Sequence, residues 1–354
     1  MHQQLGQALH KTDAKYEKIF AILLETNSKS EATMAYTLYH ANCIEWLDAQ
    51  PENSFEAIIT DPPYGLKEYS TDEQAKMRNG NRVGMWRIPP TLNGTTRSPL
   101  PRFTVLDEDD LKSLYQFFFA WGTKALRVVV PGAHMFIATN TFLSHILCAA
   151  LTDSGWERRG EIVRLVQTLR GGDRPKNAEE EFCDVTVMPR SAWEPWELFR
   201  KPLDGRVQDN LRRWRTGGLR RDSPDRPFTD VVPSERTPSE ERKIANHPSL
   251  KPQRFMRYIV RAALPLGAGR ILEPFMGAGS TIAAAEYVGY TSVGVEFDEQ
   301  YFDLAVNAIP LLANLYREEV NIPQATQTTD AAVQRTLTLP DEAPVAPFLQ
   351  GKLF

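Results

Sequence analysis

Arg270-Ile271-Leu272-Glu273-Pro274-Phe275-Met276-Gly277-Ala278-Gly279-Ser280-Thr281 opens the stretch that decides the fold. Arg270 to Glu273 reads as a short buried strand. The glycines at 277 and 279 let the backbone turn tightly and approach a ligand closely. An alanine-rich helix follows from Thr281 to Val288, then a second strand from Thr291 to Glu296. The N-terminus of such a helix presents unpaired N–H groups and the positive end of its dipole, so it suits an anionic or polar ligand. Ser280 and Thr281 add hydroxyls at that place. An acid at the end of the second strand, about 20 residues after the glycines, commonly binds ribose hydroxyls. Glu296 occupies that position. The pattern predicts a nucleoside-containing cofactor across the strand ends; the alternative is a tight strand-to-helix turn with no ligand.

Outward from this stretch the same alternation recurs. A helix from Pro252 to Leu264 precedes it, and one from Gln300 to Tyr316 follows. His247-Pro248-Ser249-Leu250-Lys251-Pro252 leads into the first of these. Lys251, near a helix start, could pair with a cofactor carboxylate, although a lone lysine there is usually solvated. Toward the N-terminus, strands are predicted at Tyr36–His40, Phe55–Thr60, Met135–Thr139, Glu161–Gln167 and Phe182–Val187. Helical segments are predicted at Ile44–Leu47, Asp107–Val130 and Phe142–Leu151, the second with acids crowding its start as the helix dipole prefers. Strand and helix in alternation imply an α/β sheet. Residues 1–34 read as a helix with an apolar face through Tyr16, Ile19, Phe20, Leu23 and Leu24, for packing or for a homodimer contact.

The chain has 354 residues, 24% of them charged, with a net charge of −4. No apolar run reaches the roughly 18 residues of a membrane span. The N-terminus lacks a signal-peptide core. Three scattered cysteines exclude a disulfide framework or a zinc cluster and suit a reducing cytosol. The mild acidity hides opposed regions. Residues 66–104, a loop long enough to be functional, carry seven basic residues against three acids. Residues 200–221 carry eight against two. From residue 318 the chain is polar, rich in Thr, Gln, Ala and Pro, and predicted to be disordered.

The Phe55–Thr60 strand runs into Asp61-Pro62-Pro63-Tyr64. Prolines cannot continue a central strand, so the chain turns there. An exocyclic amine on a base is a poor nucleophile because its lone pair is conjugated with the ring. A carboxylate and a backbone carbonyl, each accepting one N–H, would hold that nitrogen and favour the tetrahedral geometry needed for attack. The prolines stiffen the carbonyl array, and an aromatic neighbour can stack on the base.

Together these elements resemble the S-adenosylmethionine-dependent amino-methyltransferases of DNA, in the circularly permuted β-class order. Asp-Pro-Pro-Tyr comes first, a basic insert lies in the middle, and the lysine-proline helix and Phe-x-Gly-x-Gly come last. The resemblance covers roughly residues 36–316. It implies a Rossmann-like fold, a mostly parallel seven-stranded sheet flanked by helices. It also implies a catalytic half over 35–167 with a mobile loop at 66–104, a target-recognition insert over 168–246, and a cofactor-binding half over 247–317. Phe275, Gly277 and Gly279 would line the S-adenosylmethionine pocket. Ser280, Thr281 and Lys251 would hold its methionine end, and Glu296 its ribose. Asp61, Pro62, Pro63 and Tyr64 would grip a base flipped out of double-stranded DNA. Where family members often carry Gly-Asp-Cys this chain has Ala41-Asn42-Cys43, and by the resemblance Asn42 would be the corresponding cofactor contact. Asp at the first motif position favours the N6 amine of adenine, with N4 of cytosine as the alternative. None of the cysteines follows a proline, as a carbon-5 cytosine methyltransferase would require.

Arg200, Arg206, Arg212, Arg213, Arg215, Arg220 and Arg221 suit phosphate contacts, or alternatively form a solvated basic surface. Such an enzyme implies the cytoplasm of a bacterium, a phage-infected cell or an archaeon, often within restriction-modification, and no nuclease motif is apparent. Gln350, Leu353 and Phe354, at the tip of the tail, resemble the peptide that binds the bacterial sliding clamp; the alternative is that they dock on the protein itself. No metal is expected. A non-catalytic DNA-binding protein is the remaining reading, and the intact motifs argue against it.

Overall fold

The computed structural model describes residues 35–63, 91–92, 95–96, 107–166 and 172–316. The predicted helix before residue 35, Tyr64, most of the 66–104 loop and the tail with Gln350, Leu353 and Phe354 lie outside the described residues. The chain begins with β1 (Tyr36–His40), α1 (Cys43–Ala49) and β2 (Phe55–Thr60). A two-residue ladder of β3 (Thr91–Leu92) and β4 (Thr95–Thr96) comes next. Then follow α2 (Glu108–Val128), β5 (Val129–Ala138), α3 (Ser144–Asp153), β6 (Glu157–Leu165) and β7 (Trp193–Arg200). The rest is α4 (Val207–Trp214), β8 (Val231–Pro233), α5 (Ser239–Ile244), α6 (Gln253–Ala263), β9 (Arg270–Glu273), α7 (Ser280–Val288), β10 (Thr291–Glu296) and α8 (Glu299–Asn314).

The main sheet has the order β1-β10-β9-β2-β5-β7-β6-β8. It is mostly parallel; β7 alone runs antiparallel to both of its neighbours. The eighth strand, where seven were expected, is β8, a short edge strand that pairs with β6 inside the expected insert. Both faces are covered. Along β2, Ile58 faces a core built with Trp121 and Phe118 of α2 and Leu147 of α3. Ala57 and Ile59 face the opposite core, with Phe255 and Ile259 of α6 and Ala284 of α7. Alternation on a strand buried on both sides is what a parallel sheet between helices demands. The helix α2 starts on a capping box between Asp107 and Asp110, which satisfies two otherwise unpaired N–H groups.

Three expectations are corrected. The helix predicted to reach Val130 ends at Val128, and the following strand begins at once, at Val129 rather than Met135. Phe182–Val187 forms turns, with Val187 61% exposed, and is no strand. The strand of that region is instead β7, which ends at Arg200.

Candidate active site

The connections on the sheet diverge between β9 and β2. From β9 the chain passes through α7 to β10 on one side; from β2 it passes through α2 to β5 on the other. In open α/β sheets ligands bind at such a switch point, beyond the carboxyl ends of the strands. Asp61 follows β2 and the glycine turn follows β9, so both expected motifs flank this point although they lie far apart in sequence. A cleft of about 350 Å³ opens between them, lined by Asp61, Lys251, Glu273, Phe275, Gly277 and Ser280 among others.

The two glycines do different work. Gly277 has φ +53°, and a β-carbon there would lie 3.2 Å from the His247 ring. It is the residue that keeps the cleft floor open. Gly279 has φ +81° and precedes α7; a β-carbon there would lie 2.4 Å from Ile309 of α8. Its bareness lets α8 pack against the turn. Phe275 is fixed against Trp121, at 5.6 Å between ring centres. Glu296 accepts N–H groups from Gly277 (2.7 Å), Phe297 and Asp298, so it clasps the turn to the end of β10. Asn42 caps α1 by accepting from the Ile44 N–H, beside that same edge. Phe297, 72% exposed, stands next to Glu296.

Thr281 does not present a free hydroxyl to the cleft. It donates to Glu273 (2.7 Å), which also accepts from Thr60 (2.5 Å) and from the Phe275 N–H. Glu273 thus ties the end of β9 to the end of β2. Burial pushes its carboxyl up to about 8, against the lowering effect of those hydrogen bonds, so it holds a proton at neutral pH. The sequence reading treated Glu273 only as the end of a strand.

Asp61 meets Lys251 at 2.6 Å. Lys251 also meets Glu194 at 3.0 Å, and Glu194 in turn pairs with Arg164. All four side chains are largely buried. Burial pulls the lysine down, but Asp61 and Glu194 outweigh it and hold its pKa above the ordinary value. Burial likewise pushes Glu194 up, and Lys251 and Arg164 prevail and hold it low. Lys251, expected at the cofactor's methionine end, lines the cleft and pairs with the Asp61 carboxylate at its wall. Glu194 and Arg164 were not foreseen. They form a cross-strand pair of opposite charges, Arg164 opposite Glu194, hidden among the other charges of β6 and β7. His247 sits at the cleft floor, edge-on to Tyr301, and its Nδ1 accepts from the Ser249 N–H. Pro62 is buried beside Asp61 and Pro63 is exposed.

The arginines of 200–221 lie elsewhere. Arg200 is 8% exposed and pairs with Glu157 within the sheet, so it is a structural residue and not a phosphate contact. Arg206 and Arg212 pair with Asp209, and Arg213 with Asp204. Arg220 donates to the Tyr290 hydroxyl. Arg221 donates to the carbonyls of Ser223 and Pro224, and Arg215 ends α4 in a left-handed conformation. Helix α4 is fastened to Pro131 through Asn210 and Thr216. Pro131 lies near the start of β5, about 23 Å along the strand from Ala138 beside Asp61 at ~3.3 Å per residue. The cluster therefore occupies the end of the sheet opposite the cleft.

Burial raises the thiols of Cys43 and Cys148 to about 12, so neither is a nucleophile at neutral pH. Among the described residues no cluster of His, Cys, Asp or Glu could hold a metal, and no helix is long and apolar enough to cross a membrane.

A fold with its cleft at the switch point, a glycine turn on one side and Asp-Pro-Pro on the other, defines a class. The DNA methylase family profile matches residues 55–307, and the chain belongs to that family, the S-adenosylmethionine-dependent amino-methyltransferases of DNA. Among its relatives are the type II methyltransferases M.Cfr9I of Citrobacter freundii and M.HindIII of Haemophilus influenzae. The first is 22% identical, covering 77% of this chain and 87% of that protein. The second is also 22% identical, covering 78% and 96%. A solved structure with the same fold is TTHA0409 of Thermus thermophilus, a candidate DNA modification methylase; it is 16% identical with a TM-score of 0.50, covering 79% of this chain and 96% of that one.

Proposed function

We propose that this protein transfers a methyl group from S-adenosylmethionine to the N6 amine of an adenine flipped out of double-stranded DNA. The observation that carries the reading is the buried, lysine-paired Asp61 carboxylate at the cleft wall, across the switch point from Gly277. The cleft suits the cofactor: its floor is bare at Gly277 because a β-carbon there would crowd His247, and the first turn of α7 opens toward it. S-adenosylmethionine, when bound, supplies an electrophilic methyl on a sulfonium centre. Gly277 and Ser280 lie along its bed, and Glu296 stands where ribose hydroxyls would come.

The chain's own contribution is positional and electrostatic. Asp61, held by Lys251, accepts one amine N–H, and the Pro62 carbonyl accepts the other. Tyr64 supplies the stacking face for the base. The nitrogen lone pair is thereby turned out of conjugation. No thiolate is required. An aspartate as the first residue of the motif supports adenine over cytosine.

The duplex must approach the end of the sheet that holds Asp61. Residues 172–192, which join the upper ends of β6 and β7, form part of that edge; they carry Arg174, Lys176 and Arg190 among the acids Asp173, Glu179, Glu180, Glu181 and Asp184, so any phosphate contact there rests on individual side chains. The arginines of 200–221 face away from it and, where they meet DNA, act outside the reacting site. Methyl transfer from labelled S-adenosylmethionine to duplex DNA, followed by nucleoside analysis, tests the reading. N6-methyladenine is expected; N4-methylcytosine would move the target to cytosine, and no labelled base would overturn the function.

A further inference from the structure

Asp61 is the end of a chain of alternating charge. From the wall of the cleft it runs Asp61, Lys251, Glu194, Arg164. These residues come from separate elements: the end of β2, the segment before α6, β7 and β6. Between β2 and β7 lies β5, so Lys251 spans the upper end of one strand to reach both carboxylates. Arg164 uses its remaining donors on the Ser234 hydroxyl (3.0 Å) and the Glu235 carbonyl (2.8 Å), just beyond β8, and lies over the Phe255 ring. The chain thus fastens the acceptor of the target amine to the segment that leaves β8.

Four buried charges in a row are a poor route to stability. Removing two anions and two cations from water costs about as much as their attraction returns, and apolar side chains of similar size often do better. What such a row does achieve is placement. Lys251 has three N–H bonds on a flexible stem; bound to Asp61 alone it could swing with that carboxylate. With one hydrogen on Glu194, itself gripped by Arg164, the ammonium is held from behind.

We propose that Glu194 and Arg164 are positioning residues for methyl transfer, fixing Lys251 so that the Asp61 carboxylate stays aimed at the target amine. Resting on the methyltransferase reading of this cleft, this adds two residues that touch neither cofactor nor base. Their removal acts on the reacting step and leaves cofactor affinity alone.

The test is Glu194→Gln, which keeps the shape and removes the charge. Single-turnover methyl transfer, equilibrium binding of S-adenosylmethionine and thermal unfolding are measured on the full chain. The proposal expects at least a tenfold fall in the single-turnover rate, with the cofactor Kd within twofold of wild type. A rate within twofold of wild type overturns it. So does a rate loss matched by an equal loss of cofactor affinity, which would mean a distorted cleft. Arg164→Lys keeps the charge while losing the forked grip, and thermal unfolding checks that it folds. It is expected to lower the rate three- to tenfold with cofactor binding intact, and it decides the matter if Glu194→Gln does not fold. Wild-type protein that methylates no DNA base would sink the parent reading instead, so the two failures are distinguishable.

Discussion

Removing the Asp61 carboxylate takes away an acceptor that acts on the nitrogen as charge develops. Asp61→Ala is expected to lower kcat by about 10²–10³, the usual loss for one preorganised polar contact, with the cofactor Kd little changed. A labelled-methyl assay with parallel cofactor titration checks this; full activity would show that the base is gripped elsewhere. Glu273 gives a different prediction, for stability. Its folded pKa, about 8, lies above the unfolded value, so the folded state binds more protons between those values. Stability from this group is present at low pH and declines as pH rises from about 4.5 through 8. Glu273→Gln, neutral and of the same shape, should flatten that slope, and melting temperatures between pH 5 and 9 read it directly. The sequence announced Asp61 through its prolines. It could not announce Lys251 as its partner, because 190 residues separate the two and only the folded sheet brings them together.

At the scale of elements, the glycine turn separates close packing from backbone conformation. Gly279 and Gly289 share nearly the same φ, +81° and +83°, but a β-carbon at Gly279 would meet Ile309 at 2.4 Å while one at Gly289 would meet nothing within 4 Å. Gly289→Ala is expected to cost about 1 kcal/mol from conformation alone. Gly279→Ala should add overpacking of about 1–3 kcal/mol. Urea unfolding of the two variants side by side checks the difference. Strands with simple patterns were legible: Tyr36–His40 and Phe55–Thr60 stand where their apolar runs place them. Others were not. Val129 and Val130 continue the apolar face of α2, so nothing local marks the change from helix to strand. Trp193–Arg200 carries Pro195 and charges that pair only across the sheet, and so it reads as irregular. Phe182–Val187 has the alternation of a strand, but within it only Val187 bonds across to another segment, at the Asp173 carbonyl, and no ladder forms.

The main sheet has two unlike ends. Net charge averaged over the chain suggested little affinity for a polyanion, and the two basic stretches suggested where affinity would concentrate. The fold puts residues 200–221 at the foot of the sheet and closes several of their arginines in ion pairs. Exposed pairs of this kind contribute little to stability, about 0–1 kcal/mol each. Replacing Arg212 and Arg213 together by alanine should leave kcat within about twofold. Replacing Arg174 and Lys176 should weaken DNA binding and lower the slope of log affinity against log salt by about one for each phosphate the variant no longer neutralises. Binding isotherms at several salt concentrations discriminate the two ends. Equal effects from both pairs would place the duplex differently.

The bond from Thr60 to Glu273 joins strands 213 residues apart in sequence. During synthesis at roughly 5–20 residues per second, Asp61 leaves the ribosome about 10–40 s before Lys251 exists to meet it. A chain cut short before β9 would carry the Asp-Pro-Pro-Tyr motif in full and still have no cleft. The cell's supply of active enzyme is therefore set by chains finished nearly to their last helix, and premature termination yields inert fragments rather than partly working ones.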